Sequence, residues 1–149
     1  MNIGFRIKYI RKLKRLTQKE LGLKLGFPED AADVRIAQYE SGSRTPKENI
    51  INKLADALGV VPQALTVPDI DSYTGLMHTL FTLEDRYGLE VCERHGEVYL
   101  RVNASKGADA AQLHEMICAW RKAAAMFEVG KITRDEYDRG RYTYQAHQR

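Results

Sequence analysis

Apolar positions recur at helical spacing through most of the chain. In residues 5–16, Phe5 or Ile7, Ile10, Leu13 and Leu16 fall along one side at spacings of three, with basic residues on the rest, which predicts a basic amphipathic helix. Thr17, followed three residues later by Glu20, forms a capping box that opens a second helix with Leu21 and Leu25 on its apolar face, and Gly26 stops it. Beyond Pro28 a third helix is predicted from near Asp30, an N-cap residue. It carries Val34, Ile36, Tyr39 and Glu40 to the turn at 41–43. Pro46 suits the first turn of a fourth helix, in which Ile50, Ile51, Leu54, Ala55 and Leu58 recur until Gly59; a short fifth turn covers 62–65.

The pattern changes after residue 66. Pro62, Pro68 and the stretch 67–71 read as a linker, and Ser72 caps a helix with Tyr73, Leu76, Met77, Leu80 and Tyr87 on one stripe. Residues 89–93 and 97–102 are short strands about the turn residues His95 and Gly96, a β-hairpin. An Ala-rich helix over 108–127 aligns Leu113, Met116, Ile117, Trp120, Ala124 and Phe127. Gly130 ends it, and Thr133 with Glu136 caps a last short helix ending near Tyr142. These stripes, Trp120 and Phe127 included, are expected to be core, with Cys118 facing it. The Arg- and Tyr-rich segment 137–144 is expected to pack across a dimer or onto the long helix rather than on nucleic acid. The fold class is mainly α: a five-helix domain over 1–66, a linker over 67–71, and a helical unit over 72–149, expected to serve dimerisation or sensing, that includes the hairpin at 89–102.

Composition narrows the classes. The 149 residues, 44% apolar and 29% charged, support one ordinary core or two small ones. The net charge of +3 hides an asymmetry. Residues 1–66 carry 12 basic against 7 acidic side chains, a net +5, and residues 67–149 carry 11 against 13, a net −2. A basic first half suggests a polyanion-binding module. No apolar run approaches the roughly 18–20 residues of a membrane span, and Arg6, Lys8, Arg11, Lys12, Lys14 and Arg15 interrupt any signal-peptide core, so a cytoplasmic protein is expected. Cys92 and Cys118 are too few for a disulfide scaffold and are expected to be reduced. His78, His95, His114 and His147 lack metal-ligand spacing. With no nucleophile or acid-base constellation and no phosphate-cradling Gly loop, the reading includes no enzyme activity, catalytic residue, metal or cofactor.

Three separated blocks carry a more specific signal: LTQKELGLKLG at 16–26, IAQYESGSRTP at 36–46 and KLADALGV at 53–60. In this order they resemble the lambda repressor and Cro-type helix-turn-helix family, also called the Xre family, across residues 4–66. The resemblance implies a repressor-like helix-turn-helix domain. Its second helix would have to admit the third closely at Gly22, turn at Gly26 with positive φ, and be plugged by Ile36 beneath the recognition helix. It further implies that the recognition helix enters the DNA major groove while the helix before it points its N-terminus at a phosphate. By position, Thr17 caps and reaches phosphate, Gln18 contacts backbone or a base edge, and Gln38 reads a base directly, an amide being able to pair with adenine N6 and N7. Arg35 meets guanine or phosphate, and Ser43 and Arg44 belong to a loop that clamps the DNA backbone with main-chain N–H groups and a cation. Arg11 and Glu40 match a structural salt bridge.

Residues 27–35, FPEDAADVR, are nine where the family usually has about five, and four extra residues amount to about one helical turn. Either the recognition helix lengthens at its N-terminal end or the turn widens. Glu29, Asp30 and Asp33 make the extension acidic, which opposes phosphate. The functional expectation is a sequence-specific double-stranded DNA-binding transcriptional regulator, repressor-like, acting as a homodimer on a palindromic operator. The alternative is an antitoxin-like or mobile-element regulator whose C-terminal half, residues 72–149, binds a protein partner.

Overall fold

A computed structural model of the chain describes residues 3–66, 68 and 70–146. The chain divides into two compact units, one formed by Met1–Asp69 with Asp138–Arg149 and the other by Ile70–Tyr137. Within the predicted 67–71 linker, residues 67 and 69 lie outside the described residues.

The first unit contains α1 (Ile3–Leu13), α2 (Gln18–Lys24), α3 (Ala32–Ser41) and α4 (Glu48–Leu58), followed by the predicted short fifth turn, a 3₁₀ turn at Pro62–Ala64. Its core is drawn from one stripe of each helix: Ile7 and Ile10, Leu21 and Leu25, Ile36 and Tyr39, Leu54 and Leu58, closed by Leu65. Phe5, one of the two residues offered for the first stripe, is instead exposed and stacks on Tyr9. The helix ends earlier than predicted, at Leu13, and Arg15 takes a positive φ of 56° beyond it.

The capping box at the start of α2 is complete. The Thr17 main-chain N–H donates to Glu20 Oε2 at 2.7 Å and the Glu20 N–H donates to Thr17 Oγ1 at 3.1 Å, satisfying two helix-start donors reciprocally. The Thr17 backbone N–H, followed by its hydroxyl, holds the Glu20 carboxyl below the usual carboxylate range. After α2 the chain reverses at Gly26, whose φ of 83° lies in the left-handed region. An added Cβ there meets open space, so Gly26→Ala is expected to cost only backbone strain, about 1 kcal/mol, read as a shift in urea midpoint at constant slope.

Two details of the third helix depart from expectation. It starts at Ala32, with Ala31 as N-cap and no side-chain cap bond, so Asp30 is not its cap. Pro28 O accepts from the Ala31 N–H at 3.0 Å, a turn that carries the chain from Gly26 to the helix. The four extra residues are absorbed by a wider turn, and α3 keeps ten residues.

The C-terminal residues from Asp138 group with the first unit rather than with 72–137, as the expected boundary had it. They belong there because Tyr142 is buried in its core, its carbonyl accepts the Val61 N–H at 3.0 Å, and the Arg6 guanidinium lies 5.4 Å over its ring. Burial pushes the Tyr142 phenol above its ordinary pKa.

The second unit contains α5 (Tyr73–Tyr87), β1 (Leu89–Arg94), β2 (Glu97–Val102), a 3₁₀ turn at Ala104–Lys106 and α6 (Ala108–Glu128). α7 (Arg134–Tyr142) follows. Ser72 caps α5 by accepting from the Gly75 N–H at 3.0 Å, and the Thr133–Glu136 box caps α7 as predicted. The strands pair antiparallel, Leu89 with Val102 through Arg94 with Glu97, about the two-residue loop His95 and Gly96. Both loop residues have positive φ, 55° and 80°, the twist that a tight hairpin needs. Tyr137 does pack on the long helix, stacking on Phe127 with centroids 5.2 Å apart and accepting from Trp120 Nε1 at 2.8 Å.

The expected core of this unit is corrected. Tyr73, Met77, Ile117 and Trp120 are exposed, Leu113, Met116 and Phe127 are half-buried, and Cys118 is exposed rather than facing a core. Helical periodicity identifies an apolar face; what covers that face is a property of the assembled molecule.

Candidate nucleic-acid interface

α2, the wide turn and α3 form the candidate interface. The two helices come together because position 22 has no side chain: a Cβ there would sit 2.3 Å from the Ala32 carbonyl oxygen. Behind α3, Ile36 and Tyr39 anchor the helix in the core, which turns Asp33, Val34, Ala37, Gln38 and Ser41 outward. Together with Gln18 and Ser43 these side chains line one shallow, open depression.

A polar link of long sequence range holds this surface in place. Arg11 Nε donates to Glu40 Oε1 at 2.5 Å and Nη2 to Oε2 at 3.0 Å, a fork of the kind that matches guanidinium to carboxylate. Arg11 Nη1 also donates to the Leu16 carbonyl at 2.7 Å, so the same side chain closes the end of α1. The second Glu40 oxygen accepts from Gln18 Nε2 at 2.8 Å. The expected Arg11–Glu40 pair is therefore present, and it also orients Gln18, a role that residue types 22 positions apart do not reveal.

The six predicted contact residues fare differently. Gln18, Gln38 and Ser43 share the depression. Thr17 lies beside it at the start of α2, its hydroxyl donating to Glu20 Oε2 at 2.8 Å while accepting the Glu20 N–H, so its capping role occupies it in this state. Arg35 is half-buried on another side of α3, its guanidinium 5.6 Å over the Phe27 ring. That placement is a consequence of the widened turn, which brings Phe27 against α3. Arg44 is exposed, but its main-chain N–H donates to the Gln38 carbonyl at 3.1 Å. Ser41 and Ser43 hydroxyls donate to the same carbonyl at 3.2 Å. The turn after α3 is thus pinned internally, which occupies the Arg44 N–H and leaves its side chain exposed. Val34, Ala37 and Ser41 were not singled out as contacts. Val34 lies one helical turn before Gln38 and Ala37 one turn before Ser41, on the face away from Ile36, and that spacing is the signal that could have found them.

The electrostatics are mixed. Lys8, Lys12, Lys14 and Arg15 are exposed around α1, while Asp33 brings a carboxylate to the rim of the depression and caps the Val34 N–H at 2.8 Å. Lys19 pairs with Glu29 of the inserted turn at 3.0 Å, so the two exposed charges partly cancel there. Among the described residues no group of three or more His, Cys, Asp or Glu is placed to hold a metal ion, and no helix is long and apolar enough to cross a membrane.

Two tightly apposed helices with the second one turned outward define a helix-turn-helix module. Residues 7–65 match the helix-turn-helix family model, of lambda repressor type. The chain is 38% identical to Multiprotein-bridging factor 1 of Debaryomyces hansenii over 60 residues, which cover 40% of this chain. The match spans 37% of the length of that curated relative. The crystal structure of the transcriptional regulator BswR is similar with 25% identity, over 55% of this chain and 95% of that one, at a TM-score of 0.43.

Proposed function

We propose that the protein is a sequence-specific double-stranded DNA-binding transcriptional regulator, repressor-like, that acts as a dimer on a palindromic operator. The observation that carries this reading is the common surface formed by Gln18, the outer face of α3 and Ser43, held by the Arg11–Glu40 link within a helix-turn-helix domain. A helix face supported in this way suits the major groove, and Gln38 on it can read an adenine edge. The net +5 on residues 1–66 supplies attraction to phosphate that carries no sequence information. The dimer follows from range: one module reads a short half-site, and two related by a two-fold axis read a palindrome. The chain acts by binding, and its place is the cytoplasm.

Binding to selected DNA sites is expected to weaken steeply with salt, by about 1,000-fold between about 50 and 200 mM if six phosphates are contacted. A full-length protein that binds no DNA at low salt overturns the reading. Within it, Gln38→Ala is expected to relax sequence preference by about 1–3 kcal/mol at one base position, and Arg44→Ala to weaken all sequences about equally with a smaller salt slope. The reverse pattern would reassign the two roles. The alternative, a C-terminal half that binds a protein partner, draws support from the exposed apolar side chains of residues 70–137.

A further inference from the structure

The depression along α3 is lined by one carboxylate, two amides, two hydroxyls and two aliphatic side chains, with no cation among them. Guanine shows the major groove two acceptors, N7 and O6, and its commonest reader is an arginine or a lysine. The one basic side chain of α3 is Arg35, and it is turned away, half-buried with its guanidinium 5.6 Å over the Phe27 ring.

Two side chains in the first turn of α3 stand where a cation does not. The N-terminal residues of a recognition helix are the ones that contact base edges. Asp33 Oδ1 accepts the Val34 N–H at 2.8 Å, which holds the carboxylate at the helix start, and Oδ2 has no partner among the described residues. An ionised carboxylate only accepts hydrogen bonds. Guanine N7 and O6 and thymine O4 therefore repel it, and adenine sets an N7 lone pair beside its N6 amino group. Cytosine alone offers the groove an amino donor, at N4, with no acceptor beside it.

Val34 is aliphatic yet 52% exposed, and Ala37, three residues on, shares its face. A β-branched side chain in a helix holds one rotamer, so its methyl groups meet a partner with little further loss of side-chain freedom. The major groove presents one apolar group of matching size, the C5 methyl of thymine.

We propose that Asp33 and Val34 are specificity-determining residues that read a cytosine and a neighbouring thymine in each operator half-site. The carboxylate accepts from cytosine N4 and the valine covers the thymine methyl. The inference rests on the DNA-binding reading above and names the bases that this surface takes. With Gln38 one turn after Val34, the readout runs from cytosine and thymine at the start of α3 to adenine beyond it. The charge of Asp33 also works against other registers, since a docking that shifts it toward a phosphate sets like charges together.

In vitro selection with the full-length chain, followed by base-analogue scanning of the selected site at fixed ionic strength, tests this. Each thymine is replaced in turn by deoxyuridine, which lacks the C5 methyl and keeps every hydrogen-bonding group. One thymine in each half-site is expected to lose about fourfold in affinity, the worth of one buried methyl, and Val34→Ala to abolish that loss. At a neighbouring position cytosine is expected to be preferred at least about tenfold over the other bases. Asp33→Asn, whose amide can also donate, is expected to bring guanine or adenine within about threefold of it. Both side chains are exposed, so neither substitution disturbs the core. A selected site with no deoxyuridine-sensitive thymine, or with one whose loss Val34→Ala leaves unchanged, overturns the proposal. So does a cytosine preference that survives Asp33→Asn. A chain that selects a site indifferent to both changes sinks this assignment and leaves the regulator reading standing, whereas a chain that selects no DNA at low salt removes both.

Discussion

Glu40→Ala is expected to destabilise the protein by about 3–5 kcal/mol, the usual cost of removing one partner from a buried ion pair. The Arg11 and Glu40 side chains are only 10% and 3% exposed, so alanine leaves a guanidinium in a site from which water is largely excluded. An exposed pair such as Lys19–Glu29 is worth about 1 kcal/mol or less, and its loss is not expected to register. Urea unfolding followed by circular dichroism measures the difference. A loss under about 1 kcal/mol for Glu40→Ala would show that the pair behaves as a surface bridge.

The same substitution releases Gln18, so DNA affinity is expected to fall further than stability alone explains. Arg11→Met combined with Glu40→Leu separates the two effects. Replacing a buried pair by apolar residues of similar volume is often neutral or stabilising, so this double variant is expected to regain most of the stability. It cannot restore the bond from Gln18 Nε2, and specific binding is expected to remain weak. Specific binding at the native level in the double variant would show that the link serves folding alone.

Gly22→Ala is expected to be the next most damaging change, with a net loss of about 2 kcal/mol. Alanine in a helix gains about 1 kcal/mol over glycine from backbone entropy. Against this, the added methyl would lie 2.3, 2.7 and 2.8 Å from the O, C and Cα atoms of Ala32, and backbone atoms cannot rotate away as a side-chain end can. Overpacking of this kind costs about 3 kcal/mol, so the overlap wins. Relief requires α2 and α3 to separate, which moves Gln18 relative to Gln38. Specific affinity is then expected to fall more than non-specific affinity in paired binding measurements. An unchanged ratio of the two would mean that the helices move as one body.

Much of the secondary structure of both units was legible because its determinants are local. The Thr17–Glu20 and Thr133–Glu136 boxes, the positive φ at Gly26 and the two-residue loop at His95 and Gly96 each depend on residues within four positions of one another. Gly22 and Ile36 were legible for another reason: the three blocks resemble a family whose packing needs a small residue and a plug there. The site was readable to the extent that it follows α3, where Ile36 and Tyr39 pointing inward compel Gln38 to point outward. Arg35 escaped this logic because Phe27 captures it, and Phe27 is placed by a turn whose width residue spacing alone left open.

The sequence by itself determined where helices and strands begin and end to within a few residues, which face of each is apolar, and the order of blocks that marks the helix-turn-helix domain. These are properties of neighbouring residues, with free energies set by caps, turns and periodicity. Tertiary structure decided what lies far apart in the chain: that Gln18 answers to Glu40, that Tyr142 completes the first core, and that Tyr73, Val91, Val98 and Trp120 remain in solvent. The physical reason is that an apolar stripe specifies a need for burial without specifying its partner. In residues 1–66 the chain meets that need largely from within, and in residues 70–137 it does not.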